Sequence, residues 1–112
     1  PLIGNWCLSI VKVTGAAEEH FNCDSAATKW TFTDDGFYII KNDSITETGM
    51  WKCKERRDQQ MLTLEKRRIV AKQGGISNPP DYQHRVDGLT KSRFILSEWH
   101  GDQAKFLYYL KD

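Results

Sequence analysis

The chain has 112 residues, 39% of them hydrophobic and 28% charged, a composition that fits one globular domain and excludes disordered and fibrous chains. Lys and Arg number 16 against 15 Asp and Glu, a net charge of +1, so no global attraction to nucleic acid or to an anionic membrane is expected. The apolar runs fall far short of the roughly 18 residues of a membrane span, and Pro1-Leu2-Ile3-Gly4 lacks the features of a signal peptide, so the chain reads as mature or trimmed.

Apolar residues alternate with period two through most of the chain, which predicts strands, and helical periodicity is scarce. The first strand is expected over 3–13, ending at Thr14-Gly15. The polar segment 16–26 follows, and its Glu18-Glu19-His20-Phe21 reads as one helical turn. Segment 29–33 alternates aromatic with polar, turns through Asp34-Asp35-Gly36 and returns over 37–41. Asn42-Asp43-Ser44 makes the next turn. That triplet matches an N-glycosylation acceptor, although a hairpin turn favours the same residue types. Strands over 45–54 and 60–65 come next, the latter extendable to Ala71, and Gly74-Gly75 and Pro79-Pro80 mark a loop over 73–80. Strands over 82–89, 93–100 and 105–110 complete the set. Eight strands with mostly short connections predict an all-β, up-and-down antiparallel barrel with a short helical turn between its first two strands, in one domain over 1–112. A barrel of that size is filled by side chains or holds one small ligand.

A three-residue hairpin loop at Asp34-Asp35-Gly36, with its glycine in the left-handed conformation, pairs Phe32 with Tyr38 and Trp30 with Ile40 and turns all four inward. Alternation places Gly49, Trp51 and Cys53 on one face, turns Leu62, Leu64, Phe94 and Leu96 inward, and offers Phe106, Tyr108 and Leu110 as the inner set of the last strand. Such an interior is either a self-filled core or the wall of an apolar pocket with polar tips. The candidate lining residues are Trp30, Phe32, Tyr38 and Trp51 from the first half, and Tyr82, His84, Phe94 and Tyr108 from the second. Ile95, Trp99, Leu107 and Tyr109 keep the other face of the last two strands apolar, as a partner surface or as packing for segment 14–26.

Charge divides unevenly: residues 1–50 carry a net of −4 and residues 51–112 a net of +5. The basic excess between Lys52 and Lys72 reads as a solvated strand or hairpin whose cations discourage edge pairing, in preference to an anion-binding patch. Cys7, Cys23 and Cys53 have no zinc-ligand spacing, and His20 with Cys23 is read as loop chemistry rather than a metal site. No nucleophile motif or phosphate-binding loop is present, the three histidines fall on different elements, and Glu98 with His100 is accounted for by a strand end facing water. The expectation is a protein that is not an enzyme and carries no metal or cofactor.

Leu2-Ile3-Gly4-Asn5-Trp6 places a Gly-x-Trp near the start of the first strand, and this resembles the signature of the lipocalins and the wider calycin superfamily. Trp30-x-Phe32-x-x-Asp35-Gly36-x-Tyr38, then Gly49-x-Trp51, Leu62-x-Leu64, Phe94-x-Leu96-Ser97 and Tyr108-Tyr109-Leu110 together are similar to the short bacterial lipocalin-like domains, over nearly the whole chain. The resemblance implies that Trp6 closes one end of the barrel. It also implies an exported protein, in the periplasm, at the outer-membrane surface or secreted, with membrane attachment only through a lipid anchor. The implied function is binding of a small apolar or amphipathic ligand. The alternative is a self-filled scaffold or inhibitor that docks a protein partner; neither reading involves nucleic acid. Cys23 matches a cysteine of that group, but the group's partner position shortly before the second Gly-x-Trp is not a cysteine here, so the family disulfide is not carried over. In an up-and-down barrel Cys7 and Cys53 are expected at the same end, which makes Cys7–Cys53 the preferred pair and leaves Cys23 free.

Overall fold

The alternating segments pair in chain order and close on themselves. In the computed structural model, which describes residues 2–23, 27–57 and 59–112, the strands are β1 (Gly4–Val13), β2 (Glu19–His20), β3 (Lys29–Phe32), β4 (Phe37–Lys41), β5 (Ile45–Arg56), β6 (Gln59–Ala71), β7 (Ile76–Ser77), β8 (Tyr82–Asp87), β9 (Arg93–His100) and β10 (Gln103–Lys111). Eight of them form a closed antiparallel meander, β1-β3-β4-β5-β6-β8-β9-β10, and β10 returns to pair with β1. Closure leaves the eight-stranded wall without a free edge to recruit a foreign strand.

No helical turn forms over Glu18-Glu19-His20-Phe21. Glu19 and His20 instead pair with Val11 and Ile10 of β1, in the part of that strand lying beyond the start of β3. The backbone donors and acceptors of β1 there need partners, and an extended segment supplies them where a helical turn would not. β7 does the same for β6, pairing Ile76 and Ser77 with Val70 and Ile69 beyond the start of β8. The two short strands therefore raise the wall at the same end of the barrel.

The expected inner face of the first hairpin is observed. Phe32 pairs with Tyr38 and Trp30 with Ile40, and all four are buried. Gly36 has φ 91°, the left-handed conformation that a three-residue hairpin places on its glycine. Leu62, Leu64, Phe94 and Leu96 join them in the core, with Trp51 and Cys53 packed against it. The last strand reverses the expectation. Tyr109 and Leu107 face inward because they sit opposite Phe94 and Leu96, which puts Phe106, Tyr108 and Leu110 on the outer face. The run Phe106-Leu107-Tyr108-Tyr109-Leu110 is apolar on both faces, so its own alternation cannot choose, and the neighbouring strand does.

Two bulges reset the facing within long strands. In β1 the register shifts between Leu8 and Ile10. In β5–β6 it shifts between Thr48 and Met50, where Lys66 adopts φ 51°. Leu62 and Leu64 face inward before that point, and Arg67 and Ile69 after it.

The disulfide is Cys7–Cys23, and Cys53 is free. Cys7 and Cys53 cannot meet, because Trp6 and Cys53 face the interior, which turns Cys7 to the outside of the wall. The ladder from Cys7 also runs through Lys29 and Lys41 to Thr46, well short of Cys53 on β5. Cys23 instead arrives beside Cys7 just before β3 starts, and the bridge ties the β2 connection to the barrel. A thiol reagent should find one thiol per unfolded chain and three after reduction. Reduction should cost about 3 kcal/mol of stability, as expected for a loop of this size, measured as a shift in the urea midpoint.

Candidate functional site

The interior divides into an aromatic floor and a polar layer. The floor is built by Trp6, Trp30, Phe32, Phe94 and Tyr109. The ring centroids of Trp6 and Phe94 lie 4.8 Å apart edge to face, Trp30 and Tyr109 lie 5.2 Å apart, and Phe94 stacks on Tyr109 at 4.8 Å. Contacts of this kind add about 0.5–1.5 kcal/mol each beyond the area they bury. Trp51 flanks the floor edge-on to Phe32 at 5.2 Å. Below it Trp51 also lines a cleft of about 310 Å³ with Leu2, Cys53 and Leu89, where Glu55 and Gln60 supply polar tips. Burial pushes the Cys53 thiol up from its ordinary range, so it is a poor nucleophile there.

The polar layer rests on the floor. Tyr38 donates to Glu47 at 2.6 Å, and Arg67 reaches the same carboxylate through Nε at 3.1 Å and Nη2 at 3.3 Å. Burial and the bond to Glu47 raise the Tyr38 phenol well above its usual value, so it remains a donor. The Arg67 guanidinium also donates to the Pro80 carbonyl at 3.0 Å and lies over the Tyr82 ring, 5.3 Å from its centroid. Tyr82 in turn donates to Glu98 at 2.7 Å and is hydrogen-bonded to His84 Nδ1. A phenol has one proton. With that proton on Glu98, Nδ1 of neutral His84 is the donor in the second bond. No buried side-chain polar atom among the described residues lacks a partner, so the layer is internally satisfied, the condition under which buried polarity is tolerated.

Local sequence positions these groups. Gly49 sits opposite Tyr38, and a Cβ there would lie 2.7 Å from the Tyr38 ring and 2.6 Å from the Glu65 carbonyl. Only glycine lets the ring cross β5 and reach Glu47. The Lys66 bulge then turns Arg67 inward to the same carboxylate.

Of the eight candidate lining residues, Trp30, Phe32 and Phe94 are in the floor, Trp51 is beside it, and Tyr38, Tyr82 and His84 are in the polar layer. Tyr108 is on the outer face, where Lys12 lies 5.0 Å from its ring centroid. The residues that alternation missed are Glu47 and Arg67, while Glu98, expected at a strand end facing water, instead accepts from Tyr82 in the polar layer. The signal for Arg67 was hidden by the bulge, and Glu47 reads as an ordinary strand residue until its pairing with Ile69 is known.

Above the polar layer, register turns Ile45, Ile69, Leu107 and Lys105 toward the barrel axis. All four remain half-buried, whereas the residues of the floor are buried. This end, ringed by β2 and β7, is open to solvent. Among the described residues one group has metal-type donors, Cys7, Cys23 and Asp112, and its two sulfurs are consumed by the disulfide. Glu98 belongs to the polar layer, while the His100 side chain lies outside the described residues. The Asn42-Asp43-Ser44 turn is held by Asn42 Oδ1, which accepts from the Ser44 and Ile45 amides at 2.8 and 3.0 Å.

Comparison with protein-family models, with curated proteins and with solved structures gave no match.

Two expectations follow from the polar layer. His84 is held at a pKa of about 4, first by burial and then by Arg67, with Glu98 opposing the shift. The unfolded chain therefore takes up a proton below about pH 6.5 that the folded protein refuses until about pH 4. Stability from this group is present above that window and is lost as the pH falls through it, by about 3 kcal/mol in all. Urea unfolding at both ends of the window should show that loss in the wild type and not in His84→Gln. Separately, Glu47→Ala strands the Arg67 charge and should cost about 3 kcal/mol at neutral pH, against about 1 kcal/mol for Tyr38→Phe, both read from denaturation midpoints.

Proposed function

We propose that this is a lipocalin-like, non-enzymatic barrel that takes a small apolar or amphipathic molecule at its open end. The observation that carries the reading is the contrast in burial along the axis. Side chains that point inward above the polar layer stay half-exposed, so this end offers an apolar rim over a polar base, while the aromatic floor limits how deep a guest can reach. Ile45, Ile69 and Leu107 supply the apolar contacts, and Arg67 and Glu98 supply the orienting groups, the composition expected of a ligand site. Trp30, Phe32 and Phe94 act as the floor of that site rather than its wall.

Family membership is supported by Trp6. It is fully buried, its Nε1 donates to the Leu2 carbonyl at 2.8 Å, and Lys111 lies 4.5 Å from its ring centroid while bonding to the Ile3 carbonyl. That arrangement plugs the end opposite the mouth, the role the resemblance implies. Export is supported by the Cys7–Cys23 bridge, since such bridges persist in oxidising compartments. In that setting the protein is secreted or periplasmic, or held at the outer-membrane surface by a lipid anchor. The polar layer gives little support to catalysis, because His84 and Tyr82 spend their hydrogen bonds within the layer and no activated nucleophile adjoins them.

A second reading, a scaffold with a filled interior, is favoured by the outer face of β9–β10. Trp99 is 65% exposed there and meets Phe106 edge-on at 6.3 Å. Titration of isotopically labelled protein with octanoate and with 1-octanol separates the two. The pocket reading expects saturable amide shifts at Ile45, Ile69, Tyr82 and Leu107, weakened by Ile69→Glu. Absence of shifts, or shifts confined to the cleft beside Trp51 or to an outer face, overturns it. A stoichiometric partner retained by the wild type and lost in Trp99→Ser would favour the scaffold.

A further inference from the structure

The outer face of β4, β5 and β6 combines features that neither a solvated wall nor the interior site requires. Register places Phe37, Ile39 and Lys41 beside Met50, Thr48 and Thr46, and these beside Glu65, Arg68 and Val70. Phe37 is 50% exposed, Ile39 41% and, on the neighbouring short strand, Ile76 59%. Around this apolar centre stand Lys41, Lys52, Lys54, Lys66 and Arg68. Glu65 is the one acid among the described outward residues of the three strands, and it is engaged by Lys52 at 2.5 Å. Between Phe37, Ile39, Met50 and Lys66 lies a shallow depression of about 550 Å³, with Gly49 among its lining residues. A protein of net charge +1 thus concentrates its cations around exposed apolar side chains on one wall.

We infer that this wall is a docking face for an anionic lipid surface. Charge complementarity selects a negative partner, and composition selects the lipid over a protein. Protein interfaces are depleted in Lys and draw their cations chiefly from Arg. Here four of the five cations around the Phe, Ile and Met centre are lysines. Long lysine stems lie along apolar surface while their ammonium groups reach phosphate, the arrangement that suits a headgroup layer. The face is also the convex outside of a barrel, which a deformable bilayer can accommodate without a matching concavity. The resulting attachment is reversible and salt-dependent, since each lysine near an anionic surface contributes a modest attraction that ions screen.

Co-sedimentation of the intact protein with phosphatidylcholine vesicles, with and without about 30% phosphatidylglycerol, tests this at about 0.05 M and about 0.5 M NaCl. Binding is expected on the anionic vesicles at low salt, with loss at high salt and little binding to neutral vesicles. Lys41→Glu and Lys66→Glu should each lower partitioning roughly fivefold or more, and the Phe37→Ser/Ile39→Ser pair should lower it comparably. Lys91→Glu makes the same charge change in the β8–β9 turn and should have a much smaller effect. These side chains are exposed, and a thermal melt of each variant confirms that it is folded. No binding, equal binding to both vesicle types, or an equal loss in Lys91→Glu would overturn the assignment. So would retention of binding in Phe37→Ser/Ile39→Ser. Binding of polyglutamate that is lost in the same variants, without vesicle binding, would instead make the face an acidic-protein site and overturn the lipid assignment.

Discussion

The arrangement of this barrel turns on a single irregularity, the Lys66 bulge with Gly49 across from it. A regular β5–β6 ladder would keep one parity along the whole of β6. With Leu62 and Leu64 inward, Lys66 and Arg68 would follow them inside while Arg67 faced solvent. Two cations would then share the single carboxylate of Glu47, and burying the surplus charge without a partner is costly. The bulge removes that conflict by turning Arg67 to Glu47, at the cost of a left-handed φ on a residue with a side chain. Gly49 contributes the other half, because the absence of a Cβ lets Tyr38 lie across β5 and complete the Glu47 hydrogen bonds.

Once that layer is fixed, the two ends of the barrel acquire different characters. Below it the interior is aromatic and closed, and Trp6 is sealed by the Leu2 carbonyl and Lys111. Above it a second core layer would have to cover Glu47, Arg67 and Glu98, whose charges are better served by residual contact with water. The apolar side chains above the layer therefore remain half-buried. β2 and β7 satisfy the backbone of the longer strands without filling the interior. An open end thus follows from where the ion pair sits as much as from strand length.

Much of the fold was legible because the information is local and periodic. The Asp34-Asp35-Gly36 turn fixed the Phe32–Tyr38 and Trp30–Ile40 pairs, and with them the inner face of a quarter of the wall. What could not be read were features set by neighbours. The helical turn failed because Glu18-Glu19-His20-Phe21 has helix-compatible composition, whereas the exposed ladder of β1 supplies partners only to an extended chain. Tyr108 was placed inside because a run of apolar residues carries no parity, and the choice was made by Phe94 across the ladder. The Cys7–Cys53 pairing failed for a related reason: the two residues face opposite sides of the wall, which sequence spacing does not encode. For the candidate site, the aromatic half was visible in alternation, while Glu47 and Arg67 were not, since a bulge leaves little trace in composition.

The same bulge links the interior to the outer wall. Inserting one residue into β6 sends Arg67 in and leaves Lys66 out, so a single irregularity supplies the interior ion pair and a cation beside Phe37, Ile39 and Met50. Gly49 is shared as well: the room its missing Cβ leaves is taken by Tyr38 on the inner side, and its backbone forms part of the outer depression beside Phe37, Ile39 and Met50. The wall here is one residue thick, so the packing that seats Tyr38 also shapes the outer surface. A shift of the backbone at Gly49 or Lys66 consequently reaches both faces, whereas the exposed side chains of Phe37, Ile39 and Lys66 can be altered without touching the polar layer. The two faces are structurally joined at the bulge and chemically separable everywhere else on β4 to β6.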